Sequence, residues 1–175
     1  KMYGLIAAAL AGWFFVLVSD VYLSVLETHI FNFITDKPSY VQPLSQILGW
    51  TFWYAIVGIP IAFIACILIG FPMWIVLEKK GLNTQSHAMR AGAFVGFIIG
   101  VFDIVLRFLN GLSTYNSDTS YNKSLKWGHK TLEDGLLTPF GWFFELSDLF
   151  LNVAIGMIAG ICAFKVACYF KNKTV

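Results

Sequence analysis

The stretch AMRAGAFVGFIIGVFDIVLRFLNGL, from Ala88 to Leu112, constrains the fold more than any other part of the chain. A helix of about 25 mostly apolar residues is long enough to cross a bilayer core of roughly 30 Å at 1.5 Å rise per residue. Ala88, Gly92, Gly96 and Gly100 recur every four residues along it. This is the small-xxx-small spacing that lets a second helix backbone approach closely in lipid. Asp103 and Arg107 follow further along. At about 100° per residue they fall within the arc swept by the glycines, so packing stripe and charges share one face. A carboxylate and a guanidinium in such a segment are expected to face protein rather than hydrocarbon.

Three other runs are as apolar: Met2 to Leu26, Gln46 to Leu77 and Phe140 to Phe170. Only 13% of the 175 residues are charged, where a soluble domain carries about 25%. The expected fold is an all-α integral membrane protein, a single four-helix transmembrane domain over residues 1–175. Its spans are expected at about 2–26, 46–77, 88–112 and 140–170. The first run exceeds the 7–15 residue core of a signal peptide and reads as a retained helix. In the second, Pro60 and Pro72 are expected to kink or end the helix, and Trp50, Trp53 and Tyr54 form an interfacial aromatic belt. Gly81 is the expected C-cap of that span, and Ser86 the expected N-cap of the next. Glu27 to Ser45 reads as a polar connection. Leu125, Leu132 and Leu136 sit at helical spacing, which predicts a short helix lying on the membrane surface between the third and fourth spans.

Basic residues set the expected orientation. Lys1, Lys79, Lys80, Arg90, Lys165, Lys171 and Lys173 lie at one end of the spans, and Lys37, Lys123, Lys126 and Lys130 in the loops at the other. The longer loops carry fewer of them, which predicts both termini on the cytoplasmic side. Threaded this way, five charges from three spans fall at similar depth in the outer half: Asp20, Asp103, Arg107, Glu145 and Asp148. On the fourth span Glu145, Asp148, Asn152, Gly156, Gly160 and Ala163 follow in steps of three and four. Charges at the outer end and small residues at the inner end thus repeat the design of the third span. The expectation is a tight contact between these two spans through Gly92, Gly96, Gly100, Gly156 and Gly160. Beside it, Asp20, Asp103, Arg107, Glu145, Asp148 and Asn152 would line a ligand or partner pocket. Four carboxylates around one guanidinium are in excess, and are expected to hold protons or to bind something cationic.

Other chemistry finds little footing. Cys66, Cys162 and Cys168 lie in or beside apolar runs, without the pairing of a redox centre or a disulfide framework. There is no serine nucleophile elbow, HExxH helix or phosphate-cradling glycine loop. His129 and Glu133, with His29, are weak metal candidates; no metal, cofactor or catalytic residue is expected. A net charge of +2 without a basic, aromatic-interleaved run argues against nucleic acid. In size and topology the four-span layout with short tails resembles small bacterial inner-membrane proteins, including the immunity proteins against pore-forming bacteriocins. That resemblance implies a multi-pass protein of the bacterial inner membrane with an accessory or immunity-like role. The partners expected are the lipid bilayer and a membrane protein or a second copy of the chain. The main expectation is therefore a non-enzymatic protein whose outer acidic pocket binds a cationic ligand or membrane partner. The alternatives are a small proton- or cation-coupled carrier with Asp103 or Glu145 titrating, and a metal-dependent membrane enzyme acting through the outer loop.

Overall fold

A computed structural model describes residues 2–35, 44–82, 84–115, 124–126, 129–133 and 135–173. Four helices are long and apolar enough to cross a membrane: Met2–Glu27, Leu44–Lys79, Gln85–Ser113 and Pro139–Asn172.

The first span is α1 (Met2–Leu17), a widened π turn (Val18–Leu23) and α2 (Ser24–Thr35) in unbroken succession. Helix therefore continues through Glu27 to Thr35, residues assigned to a loop on their polarity. Neither glycine nor proline occurs between Val18 and Thr35, so nothing stops the helix there. The second span is α3 (Leu44–Ala65), a π turn (Cys66–Gly70) and α4 (Phe71–Lys79). Pro60 lies inside α3, whereas Pro72 sits in the first turn of α4, where its missing N–H costs least. The π turn carries the chain into it, with the Phe71 N–H bonded to the Cys66 carbonyl. The span ends in a Schellman arrangement: Leu82 N–H donates to Leu77 O at 2.9 Å and Gly81 N–H to Glu78 O at 3.0 Å. Gly81 takes the left-handed φ of 68° that this cap requires.

The third span, α5 (Gln85–Tyr115), is capped by Thr84 rather than Ser86. The Thr84 hydroxyl accepts the His87 N–H at 3.4 Å and bonds the His87 ring at 2.6 Å. Ser86 lies one residue inside the helix, so its side chain is out of position for a cap. The fourth span, α6 (Pro139–Lys173), has Thr138 as N-cap, its hydroxyl accepting from Gly141 N–H at 3.1 Å. Pro139 fills the first helical position, which needs no N–H.

Where a surface helix was expected between the third and fourth spans, the chain forms a three-stranded antiparallel sheet. Its strands are β1 (Ser124–Lys126), β2 (His129–Glu133) and β3 (Leu136–Leu137), in the order β1-β2-β3. Glu133 pairs with Leu136 and Leu132 with Leu137, so β2 and β3 form a hairpin with Gly135 in its tight loop. Gly135 has φ 83°, and Asp-Gly is the dipeptide that such loops favour. The leucines whose spacing suggests a helix, Leu125, Leu132 and Leu136, fall one on each of the three strands. Residues 36–43 of the polar connection, and residues 127 and 128 between β1 and β2, lie outside the described residues.

The spans pack unequally. α6 is central, lying against both α5 and α1, while α3 packs on α1. The contacts of the second span with α5 come from α4 and the π turn before it, so this side is closed at one end of the bundle. At that end Gly4 admits the Ala163 carbonyl and Trp74, and Tyr3 stacks on Phe170 at 4.3 Å. The sheet sits at the opposite end, where Gly111 meets the Gly135 carbonyl and Gly141 the Thr131 carbonyl.

The α5–α6 contact is backbone on backbone. A Cβ on Gly92 would collide with the Gly156 carbonyl and lie 3.1 Å from the Gly160 Cα. One on Gly96 would collide with the Asn152 carbonyl, and one on Gly160 with that of Ala88. Gly96→Val is accordingly expected to lower stability by about 2 kcal/mol, as overpacking does. Gly12, with nothing within 4 Å of a Cβ, is the control: Gly12→Ala should be neutral or gain up to about 1 kcal/mol. Unfolding of both variants in a neutral detergent checks the difference.

Candidate functional site

The glycine seam continues along α5 and α6 into a charged cluster. Beyond Gly100, whose missing Cβ leaves room for Leu149 and the Asn152 Cβ, the next close pair across the two helices is ionic. Arg107 Nη1 lies 3.3 Å from Glu145 Oε1. On its own helix, one turn away, Arg107 Nε lies 3.0 Å from Asp103 Oδ2. Asp148 is within electrostatic range of Arg107 and of Glu145. One guanidinium therefore serves three carboxylates, drawn from two helices whose separation the glycines set.

These groups differ in their surroundings. Arg107 and Asp103 are half-exposed, whereas the Glu145 side chain retains only 9% of its accessible surface. Glu145 Oε2 is buried and has no hydrogen-bond partner. A buried charged acceptor left unsatisfied is costly, commonly more than the 1–3 kcal/mol of a neutral one. Phe108 and Trp142, with ring centres 6.4 Å apart, close the same interface.

The first and second spans supply a polar pair of their own. Asp20, in the π turn, accepts from Ser19 Oγ at 3.0 Å and from Tyr54 Oη at 3.2 Å. Tyr54 is held in place by its backbone: the Trp13 indole donates to the Tyr54 carbonyl at 2.9 Å. Gly58 makes room for that indole, since a Cβ there would lie 3.0 Å from Trp13 Cδ1. The Tyr54 hydroxyl is within electrostatic range of both Asp20 and Arg107. Asp20 is therefore bonded to Tyr54 of the second span and to Ser19 beside it, and not to the ion pairs of α5 and α6 with which it was grouped on its depth.

Tyr54 is the residue that sequence reasoning missed. It stands among Trp50 and Trp53, where a tyrosine reads as part of an interfacial belt. Its hydroxyl acquires a role only when α3 is laid against α1. Asn152, grouped with the pocket on its spacing, lies in the glycine seam instead, its carbonyl over Gly96. His129 packs on Phe140 at 4.6 Å and Glu133 pairs with Lys130 at 2.5 Å. Among the described residues, no three His, Cys, Asp or Glu side chains converge closely enough to hold a metal ion. Cys66, Cys162 and Cys168 are free thiols.

Comparison of the chain with protein-family models, curated proteins and solved structures finds no match.

The geometry ranks the pairings. Removing Arg107 strands a buried carboxylate, whereas removing Asp103 takes away a half-exposed partner. Arg107→Ala should cost about 2–3 kcal/mol. The double change Arg107→Ala with Glu145→Leu should recover most of that loss, because no buried charge then remains unpaired. Equilibrium unfolding of the single and double variants, compared as a double-mutant cycle, measures this directly.

Proposed function

We propose that this is a multi-pass protein of a cell membrane, without catalytic activity, whose acidic cluster receives the cationic group of a ligand or membrane partner. The four apolar spans support the membrane setting. The greater share of Lys and Arg at the chain termini and the turn before α5 supports a cytoplasmic placement of both ends. The cluster then lies in the outer half, where Asp20, Asp103, Glu145 and Asp148 outnumber Arg107.

One observation carries the reading: Glu145 is nearly buried, bonded to Arg107 through one oxygen and unpartnered at the other. An ammonium or guanidinium donor is the complement of that atom. The spread of the acids argues for an organic cation over a bare metal ion, since no three of them converge. Both an accessory role beside another membrane protein and an immunity-like role need such a recognition point, and neither needs a reaction.

The test uses soluble amines. In neutral detergent, millimolar ethanolamine or spermidine should raise the midpoint of thermal unfolding of the wild-type chain. Glu145→Gln should remove the effect while sodium chloride at equal ionic strength leaves it in place. Equal protection of both proteins would refute the site. Amine-driven collapse of a pH gradient in proteoliposomes, lost in Glu145→Gln, would turn the reading into that of a cation-coupled carrier.

A further inference from the structure

The basic side chains divide by end. Near the sheet, Arg107 is paired with Asp103 and Glu145, and Lys130 with Glu133. Lys79, Lys80, Arg90 and Lys165 are exposed, and among the described residues they form no ion pair. All four belong to the opposite end of the bundle. There Gly160 faces the Ala88 carbonyl, and Gly4 faces the Ala163 carbonyl and the Trp74 ring. Residues 4, 74, 88 and 160–163 therefore lie near one cross-section. Arg90 and Lys165 are two residues from it, and Lys79 and Lys80 are five and six residues beyond Trp74. At 1.5 Å per residue all four stand within roughly 9 Å of that section along the axis. Among the described residues Glu78 is the one acid at this end, against Lys79, Lys80, Arg90, Lys165 and Lys171.

The cations of α4 and α5 each stand over exposed hydrocarbon. Val76 precedes Lys79 and Lys80 by three and four residues, which puts it on their side of the helix end. Phe94 and Phe97 follow Arg90 by four and seven residues along α5, and both are exposed. The long stems of lysine and arginine can lie along such surface while their charges reach outward. Tyr3 and Tyr169 are exposed at the same end, as ring side chains at head-group level are. A soluble polyanion would engage the charges and leave the apolar side chains in water. An anionic amphiphile meets both with one molecule.

We infer that this end of the bundle binds anionic phospholipids of the leaflet in which it lies. Phosphates of lipids with a net negative charge, such as phosphatidylglycerol, sit on Lys79, Lys80 and Arg90. Their acyl chains run along Val76, Phe94 and Phe97. Zwitterionic lipids, whose own ammonium neutralises the phosphate, gain less. The inference rests on the membrane setting proposed above and is independent of the cation site at the other end.

Electron spin resonance of spin-labelled lipids tests it, with the full chain in phosphatidylcholine vesicles, because a lipid held at the protein surface gives a motionally restricted spectrum. Labelled phosphatidylglycerol should be held over labelled phosphatidylcholine severalfold, on the order of the fivefold that one basic residue near an anionic surface contributes. Sodium chloride should shrink the preference. The triple change Lys79→Gln, Lys80→Gln and Arg90→Gln, at exposed positions, should bring the two lipids close to equality. Lys130→Gln, which removes a paired lysine at the other end, should leave the preference as it is. Equal retention of both lipids by the wild-type chain, or an undiminished preference in the triple variant, overturns the inference. Displacement of the labelled lipid by inorganic phosphate, beyond that by sodium chloride of equal ionic strength, would mark a soluble-anion site and overturn it too. A chain that fails to float with phosphatidylcholine vesicles refutes the membrane setting and the inference together. Flotation without a lipid preference refutes the inference alone.

Discussion

Everything at the charged end of this protein depends on how closely α5 and α6 approach. Gly92 and Gly96 on one helix and Gly156 and Gly160 on the other bring peptide carbonyls against glycine backbone. In lipid such contact, through dispersion and the close fit of two backbones, replaces the hydrophobic drive that assembles soluble bundles. The short interaxial distance it imposes is what lets Arg107 reach Glu145 across the interface. A side chain in the seam would wedge the helices apart and would cost both the packing and the ion pair.

The remaining contacts are graded around that pair. Gly4 seats α1 on α6 at the end where the termini lie, and the Trp13 indole with Gly58 seats α3 on α1 near mid-span. The polar segment between the third and fourth spans folds back as a small sheet over the ends of α5 and α6, with Thr138 joining it to the helix cap. That hydroxyl donates to the Lys130 carbonyl at 2.5 Å while accepting from Gly141. The second span is held least, with no buried residue in α3 or α4. Its apolar surface is what a lipid-facing helix presents.

The spans were legible because each is a long apolar run and nothing else in the sequence competes with that signal. The glycine stripe was legible too, since a period of four small residues has few other uses in a helix. The sheet was not, for a physical reason: Leu125, Leu132 and Leu136 satisfy a helical period, and three leucines outweighed the Asp134-Gly135 dipeptide that marks a hairpin. The extension of the first helix to Thr35 was hidden by Glu27, a residue polar in composition yet a good helix former. Of the charged residues, Asp103, Arg107, Glu145 and Asp148 could be grouped from spacing alone because their helices are antiparallel neighbours. The pairing of Asp20 with Tyr54 could not. It depends on a π turn in one span and an indole–carbonyl bond to another, and neither leaves a mark in a hydropathy pattern.

As a device for stability alone, the cluster would be a poor one. A buried ion pair commonly contributes no more than well-packed apolar residues of the same volume, because desolvation offsets its Coulomb energy. Asp103 alone would neutralise Arg107 on the helix they share. Glu145 adds a buried charge from another helix, and one of its oxygens gains no partner in return. Tyr54, bonded to Asp20, brings a hydroxyl of the second span within electrostatic range of the same cation. Packing does not demand the second carboxylate, and the contacts around it leave its buried oxygen without compensation for the water it loses.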